Sequence, residues 1–256
     1  MNARTTDGAT IRPIATGVDF AVAGARLVAL PSGAAWWPDE ATLIVADLHL
    51  ETGSAFARRG ALVPPFDTRA TLARLAADVA AHRPARVISL GDAFHDGGGP
   101  TRMEPETAAV LADLRAGRDW IWVAGNHDAE VEGEIGGIVV EEIAIGPLGF
   151  RHHPAPKARA LGEIAGHLHP AARVRVRSGT VRRHCLACDG RRAILPAYGA
   201  YTGGLDVASR AFAGLFETAD LVVHLIGEAA VHRFPATSIA GLDLSRDGTE
   251  ARRANR

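Results

Sequence analysis

Four times along this chain an apolar, strand-like run stops at a short cluster of aspartate, histidine and asparagine, and this repetition restricts the fold more than any other feature. The run 41–46 (ATLIVA) ends at Asp47-Leu48-His49, and 86–90 (RVISL) at Gly91-Asp92-Ala93-Phe94-His95-Asp96. The run 119–124 (DWIWVA) ends at Gly125-Asn126-His127-Asp128, and 163–165 at Gly166-His167-Leu168-His169. A fifth cluster, Arg151-His152-His153-Pro154, follows 147–150. Short continuous apolar runs suit strands buried on both faces. Between them, 68–82 spaces Leu72, Leu75 and Val79 at helical intervals before Pro84, and 106–117 reads as a helix closed by its glycine. Strand, helix, strand, helix, strand predicts right-handed crossovers and a largely parallel sheet. Ligands of such sheets collect beyond the carboxyl ends of the strands, so these distant clusters are expected to share one rim.

The second half changes character. Segments 137–150, 163–165, 173–177 and 191–195 read as shorter strands with few helices between them, followed by a helix over 206–217 and a strand over 221–226. No linker rich in Pro, Gly or Ser divides the chain. Residues 24–240 are therefore expected to form one α/β domain of two packed sheets with helices outside, after a polar leader (1–23) and before a disordered tail (241–256). With 47% hydrophobic and 22% charged residues, the 256-residue chain has ample apolar surface for a core. Its net charge of −1 means that a polyanion could be held only by a local patch. Two cysteines cannot build a disulfide framework. No apolar stretch of about 18 residues suggests a membrane span, and the start has no signal-peptide core. A cytoplasmic location is expected.

Carboxylates, imidazoles and an amide oxygen make mixed oxygen and nitrogen shells that suit divalent manganese, iron or zinc. In an extended D-x-H or H-x-H, positions i and i+2 point the same way, so both side chains can face one ion. A single such motif arises by chance; four in series at strand ends do not. Other features have plainer readings. Arg173, Arg175 and Arg177 alternate on one strand face, with Arg182, Arg183, Arg191 and Arg192 as neighbours across a hairpin. They suit either a phosphate-tracking patch or a solvated sheet face. Cys185 and Cys188 lack the further ligands of a zinc site and read as ordinary cysteines flanking a turn. The four tryptophans (36, 37, 120 and 122) read as packing residues, and the Gly-rich stretch around Tyr198 and Tyr201 as a place of close backbone approach.

The motifs ADLHL, GDAFHD, GNHD, RHHP and GHLH, in this order, resemble the calcineurin-like metallophosphoesterases. The stretches 36–68, DWIWVAGNHD and ILPAYGAYTGGLDV make the chain similar to ligase-associated DNA damage response endonucleases (the PdeM family), over roughly residues 24–234. The resemblance implies a four-layer α/β sandwich, with two mixed sheets flanked by helices, and two divalent metals, manganese first, with iron or zinc as alternatives. It implies that Asp47, His49, Asp92 and His169 hold one metal, and that Asp92 bridges to a second held by Asn126, His152 and His167. His152 is preferred to His153 because it follows the apolar run in the family's register. His127 would be proton donor or charge stabiliser, with Asp128 orienting its turn. His95 would touch substrate, or else stabilise its own turn. Family members commonly carry a lysine where this chain has Glu51-Thr52; those two are expected either to face solvent or to leave phosphate binding to Arg58 and Arg59.

Two metals about 3.5–4 Å apart neutralise a phosphodiester and acidify a shared water, while a nearby histidine protonates the leaving group. The resemblance therefore implies a phosphodiesterase or endonuclease acting on DNA, associated with a DNA ligase and helicase. A hydrolase of small nucleotides or other phosphodiesters is the alternative. A non-catalytic scaffold, as in a retromer subunit of similar fold, is disfavoured because the full donor set and the histidine of GNHD are present.

Overall fold

In the computed structural model the described residues are 17–61, 63–126, 136–156 and 161–243. The first sheet contains β1 (Val18–Val22), β2 (Ala25–Ala29), β3 (Ala35–Trp37), β4 (Thr42–Ala46), β5 (Arg86–Leu90), β6 (Asp119–Val123) and β7 (Ile138–Val140), hydrogen-bonded in that order. The first four run antiparallel to their neighbours, and β4 to β7 are parallel. All of β4 is buried, as its unbroken apolar run requires. Helices α1 (Thr52–Arg58) and α2 (Asp67–His82) connect β4 to β5, and α3 (Gly99–Arg102) and α4 (Pro105–Arg115) connect β5 to β6.

The second sheet holds β8 (Glu142–Ile145), β9 (Leu148–Arg151), β10 (Gly162–Ala165), β11 (Pro170–Val176), β12 (Gly179–Cys188), β13 (Arg192–Ile194), β14 (Leu205–Asp206), β15 (Val222–Ile226) and β16 (Val231–Pro235). Its order is β14-β11-β12-β13-β10-β9-β8, with β15 also on β12 and β16 on β15. It too is mixed, because β10 lies parallel to both β9 and β13.

Three apolar layers hold the sheets. Between them, Ile44, Ile88, Leu90 and Ile121 meet Phe150, Ile164 and Leu186. On the outside of the first sheet, Leu43, Val45 and Val87 pack under Leu72, Leu75 and Val79 of α2 and Leu111 of α4. Outside the second, Val174, Cys185 and Val223 lie under Phe212, Phe216 and Ile239. Each fully buried side chain of this kind contributes about 1.5–3 kcal/mol, and together they fix the strand ends on which the polar clusters sit.

The structure departs from the sequence expectations in four places. β1 lies inside the segment assigned to a leader, because the buried Phe20 and Val22 alternate with the exposed Asp19 and Ala21 and cover one face of a hairpin with β2. The expected helix over 206–217 is instead the end of β14 and a 3-10 turn, Arg210–Phe212; its apolar residues Val207 and Phe212 stand five apart, and Gly214 has a positive φ of 74°. The layer outside the second sheet is consequently built of 3-10 turns and loops among the described residues, and the helices cover the first sheet alone. Segment 137–150 is three strands rather than one. Residues 241–243, at the start of the expected tail, are described, and Leu242 packs against the third apolar layer; the rest of that tail lies outside the described residues. No helix among the described residues is long and apolar enough to cross a membrane. Cys185 and Cys188 are free and buried, and burial raises both thiols, Cys188 to about 11.

Candidate metal centre

The strand ends converge as the parallel topology dictates. Asp47 follows β4, Asp92 follows β5 after one glycine, His152 follows β9, and His167 and His169 lie between β10 and β11. Backbone bonds tie these turns together. His49 N–H donates to the Asp92 carbonyl at 2.9 Å, Gly166 N–H to the His152 carbonyl at 3.0 Å, and Gly199 N–H to the Asp47 carbonyl at 3.1 Å. Asp47, His49, Asp92, His167 and His169 all have left-handed φ between 42° and 69° and make up five of the nine described non-glycine residues that do. The uniformly extended D-x-H geometry expected from sequence is thus replaced by left-handed residues at alternate positions, 47 and 49 and again 167 and 169, which turn each side chain inward at a strand end. Two glycines make room. A Cβ on Gly91 would overlap the His152 ring, and one on Gly125 would overlap the amide and carboxylate of Asp92.

Three overlapping groups of donors result: Asp47, His49 and His169; Asp47, Asp92 and His152; and His152, His153 and His167, with the donor atoms of each group within 4.8 Å of one another. His49 Nε2 lies 3.3 Å from His169 Nε2 and 3.9 Å from Asp92 Oδ2. His152 Nε2 lies 3.1 Å from His167 Nδ1 and 3.6 Å from Asp92 Oδ2. His152 Nδ1 donates to the Leu90 carbonyl at 3.0 Å, which leaves the Nε2 lone pair facing the group. Burial first, then neighbouring histidines, lowers His49 and His167 to about 4, so both rings are neutral donors at pH 7. Burial also works to lower His169, but the Asp47 and Asp92 carboxylates outweigh it and raise its pKa.

Asp47 tests whether cations fit. It is 0% exposed, its Oδ2 accepts the His167 N–H at 2.9 Å, and its Oδ1 has no hydrogen-bond donor. A buried carboxylate oxygen without a donor costs several kcal/mol. Nested carboxylates and neutral imidazoles around it form a shell that divalent cations satisfy.

Asn126 and His153 are exposed and 2.7 Å apart, Oδ1 to Nε2, and the His153 ring lies 3.8 Å from that of His167. His153, set aside by the family register, therefore stands in the same cluster as His152. His127 and Asp128 lie outside the described residues. His95 is half-buried, 6.2 Å from the His49 ring, with Nδ1 3.4 Å from Thr52 Oγ1. Arg58 and Arg59 are exposed at the end of α1, and Arg58 reaches the loop at Gly98. Glu51 and Thr52 do not face solvent. Thr68 Oγ1 donates to Glu51 Oε1 at 3.0 Å, and Thr52 Oγ1 donates to the His49 carbonyl at 2.7 Å, so both fasten the start of α1 beneath the site.

Sequence reasoning also missed Arg102, which pairs with Asp96 at 2.8 Å and donates to Ser54 Oγ at 2.9 Å beside the His95 loop. Nothing in its sequence surroundings marks it. Arg192 belongs to no surface patch. It is buried, paired with Glu163 at 3.0 Å, and donates to the Ala155 carbonyl, holding the loop just past His153.

The calcineurin-like phosphoesterase family matches residues 41–194. Among solved structures, the nuclease MPE of Pseudomonas putida is 27% identical over 86% of this chain and 100% of its own, with a TM-score of 0.65. The phosphoesterase Yfce of E. coli is 12% identical over 76% of this chain and 98% of its own, with a TM-score of 0.41. Among curated proteins, none matches the sequence.

Proposed function

Because the chain belongs to the calcineurin-like phosphoesterases, metal-dependent enzymes with a dinuclear site, we propose that it is an endonuclease that hydrolyses phosphodiester bonds in nucleic acid, DNA foremost, in a cytoplasmic repair setting beside a DNA ligase and helicase. The observation that carries this reading is the nested donor set around the buried, donor-less Asp47 Oδ1. The nuclease that aligns over its whole length at 27% identity supports a nucleic-acid substrate over other diesters.

In this reading Asp47, His49, Asp92 and His169 hold one cation, and Asp92 is shared with a second held by Asn126, His152 and His167. Manganese is the first choice. When bound, the two ions supply the charge that neutralises an anionic diester and acidifies water. The protein's own groups do the rest. The neutral rings of His49 and His167 present lone pairs, and the Leu90 carbonyl orients His152. His95, held beside Thr52 and Phe56, contacts the substrate, and the exposed Arg58 and Arg59 at the end of α1 contribute to holding it. His127 donates a proton to the leaving oxygen, with Asp128 orienting the turn; both assignments rest on the GNHD motif.

The test is hydrolysis of bis(p-nitrophenyl) phosphate, cyclic nucleotides and DNA by the manganese-loaded chain and after chelation. Cleavage of internal DNA bonds, lost on chelation and restored by manganese, supports the reading. Turnover of cyclic nucleotides without DNA cleavage would replace it with a small-nucleotide hydrolase.

A further inference from the structure

β11 and β12 pair as a ribbon from Ala171 opposite His184 to Val176 opposite Gly179. Side chains of paired residues share a face, and every second residue returns to it. On β12 that face carries Leu186 and Cys188, both sealed in the core between the sheets. Further out, the same face carries His184 and Arg182, with Arg173 opposite Arg182 and Arg175 one pair further along, opposite Thr180. The opposite face carries Ala172 and Val174 in the third apolar layer. The ribbon therefore outgrows the sandwich, and a face that is apolar where the first sheet covers it becomes basic where it is bare. Arg183, next in sequence to Arg182, points to the other side.

Arg173, Arg175, Arg177 and Arg182 are exposed. A solvated sheet face mixes charges of both signs. This one, in a chain of net charge −1, sets a single carboxylate, Asp206, 2.8 Å from Arg173 Nε, against the guanidiniums of Arg173, Arg175 and Arg182, and Arg177 adds another in the turn at the ribbon's tip. Arg182 is anchored through the Gly204 carbonyl at 2.6 Å. Arg175 and Arg177 have no carboxylate partner among the described residues.

The basic face also leads from the metal centre. β11 begins directly after His169, and Leu205 N–H bonds the His169 carbonyl at 3.0 Å beside Gly204. At about 3.3 Å per strand residue, Arg173 stands about 13 Å and Arg175 about 20 Å along the chain from His169. The His184 ring packs against Gly204 beside the His169 carbonyl, where the ribbon meets the rim. A small diester held at the metal centre cannot reach these arginines. A polynucleotide strand can, and guanidinium forks suit its successive phosphates.

We propose that this face of the β11–β12 ribbon is a track for the phosphate backbone of a polynucleotide whose scissile bond lies at the metal centre. It rests on the nucleic-acid reading above. The test uses the full chain with Arg173, Arg175 and Arg177 all replaced by serine, and Arg183→Ser as the control on the opposite face. Binding of a labelled oligonucleotide is followed against salt, together with turnover of bis(p-nitrophenyl) phosphate in manganese. The triple variant should lose at least tenfold in affinity at low salt, and its salt slope should fall by about 2–3, one counterion set per lost contact. Small-diester turnover should stay within twofold, and Arg183→Ser should bind as wild type does. An unchanged slope in the triple variant, or an equal loss in Arg183→Ser, overturns the track while wild-type DNA cleavage leaves the nucleic-acid reading standing. A wild-type chain that hydrolyses the small diester but neither binds nor cleaves the oligonucleotide overturns both.

Discussion

Asp47→Asn should separate what the centre does for stability from what it does for metal. In the wild type, one carboxylate oxygen accepts the His167 N–H at 2.9 Å, and the other accepts nothing, 3.4 Å from His169 Nε2 and 3.6 Å from His152 Nδ1. Asparagine retains the acceptor and sets an NH2 group where the lone oxygen stood, within reach of the His169 ring. Without metal, the change removes a buried charge and adds a donor. It should therefore leave stability unchanged or raise it, by up to about 1–2 kcal/mol. The measurement belongs well above the imidazole range: attraction to Asp47 raises the His169 pKa, and stability from that source is present at low pH and lost as pH rises through the folded value. With metal the order reverses. A cation at 100 times its Kd stabilises the native state by about 2.7 kcal/mol, which is about 5–10 °C in Tm for a domain of this size. The variant should forfeit most of that shift at equal manganese. Calorimetry with chelator and with manganese reads both effects. A metal-free variant melting several degrees below metal-free wild type, or one with an undiminished manganese shift, refutes the reasoning.

His152→Ala should abolish binding of at least one manganese equivalent in titration calorimetry, whereas His153→Ala, which removes an exposed ring, should keep full stoichiometry; the reverse pattern would reassign the ligand. Gly91→Ala should cost about 1–2 kcal/mol for its left-handed φ of 72° and more for displacing the His152 ring, seen as a lower denaturant midpoint with weakened metal binding. A loss confined to stability would mean that the ring yields without cost to the site. His224 is buried away from the centre, and burial, then Arg233, lowers it to about 4. Its contribution is therefore complete above the unfolded value of 6.5 and lost as pH falls toward 4, by up to about 3 kcal/mol. His224→Leu should flatten the fall in denaturant midpoint between pH 7.5 and 4.5, and an unchanged fall would show that other groups govern acid lability.

The first sheet and its clusters were legible because each signal is contiguous: an apolar run, a stop, and ligand residues within three or four positions. Parallel pairing then brings the stops together without further information. What stayed hidden depends on residues far apart in sequence. Glu51 reads as solvent-facing until Thr68, 17 residues on, is seen to donate to it. Arg102 has no local mark, since its meaning lies in Ser54, 48 positions earlier. His152 and His153 could be ordered only by register, yet both approach His167 because the backbone turns tightly there. β1 was lost because a short amphipathic strand beside a polar stretch has too few apolar residues to rise above it.

The distribution of strain bears on why the centre is built on strand ends rather than on mobile loops. Five donor residues occupy left-handed φ, each costing about 1–2 kcal/mol for an L-residue. Glycine would relieve that cost but has no side chain to offer, so the strain must sit on the donors themselves. The neighbouring Gly91 and Gly125 provide only the clearance. Such conformations persist where the surroundings overdetermine them. Here the rigid β4 and β5 strands and the cross-turn bonds from His49, Gly166 and Gly199 do so. It follows that the donors are aimed before any cation arrives: relaxation would mean breaking strand-end hydrogen bonds over a core in which Ile44, Ile88 and Leu90 are fully buried. Metal binding then has little ordering entropy to offset, and the fold rather than the ion sets the distance between the two halves of the site.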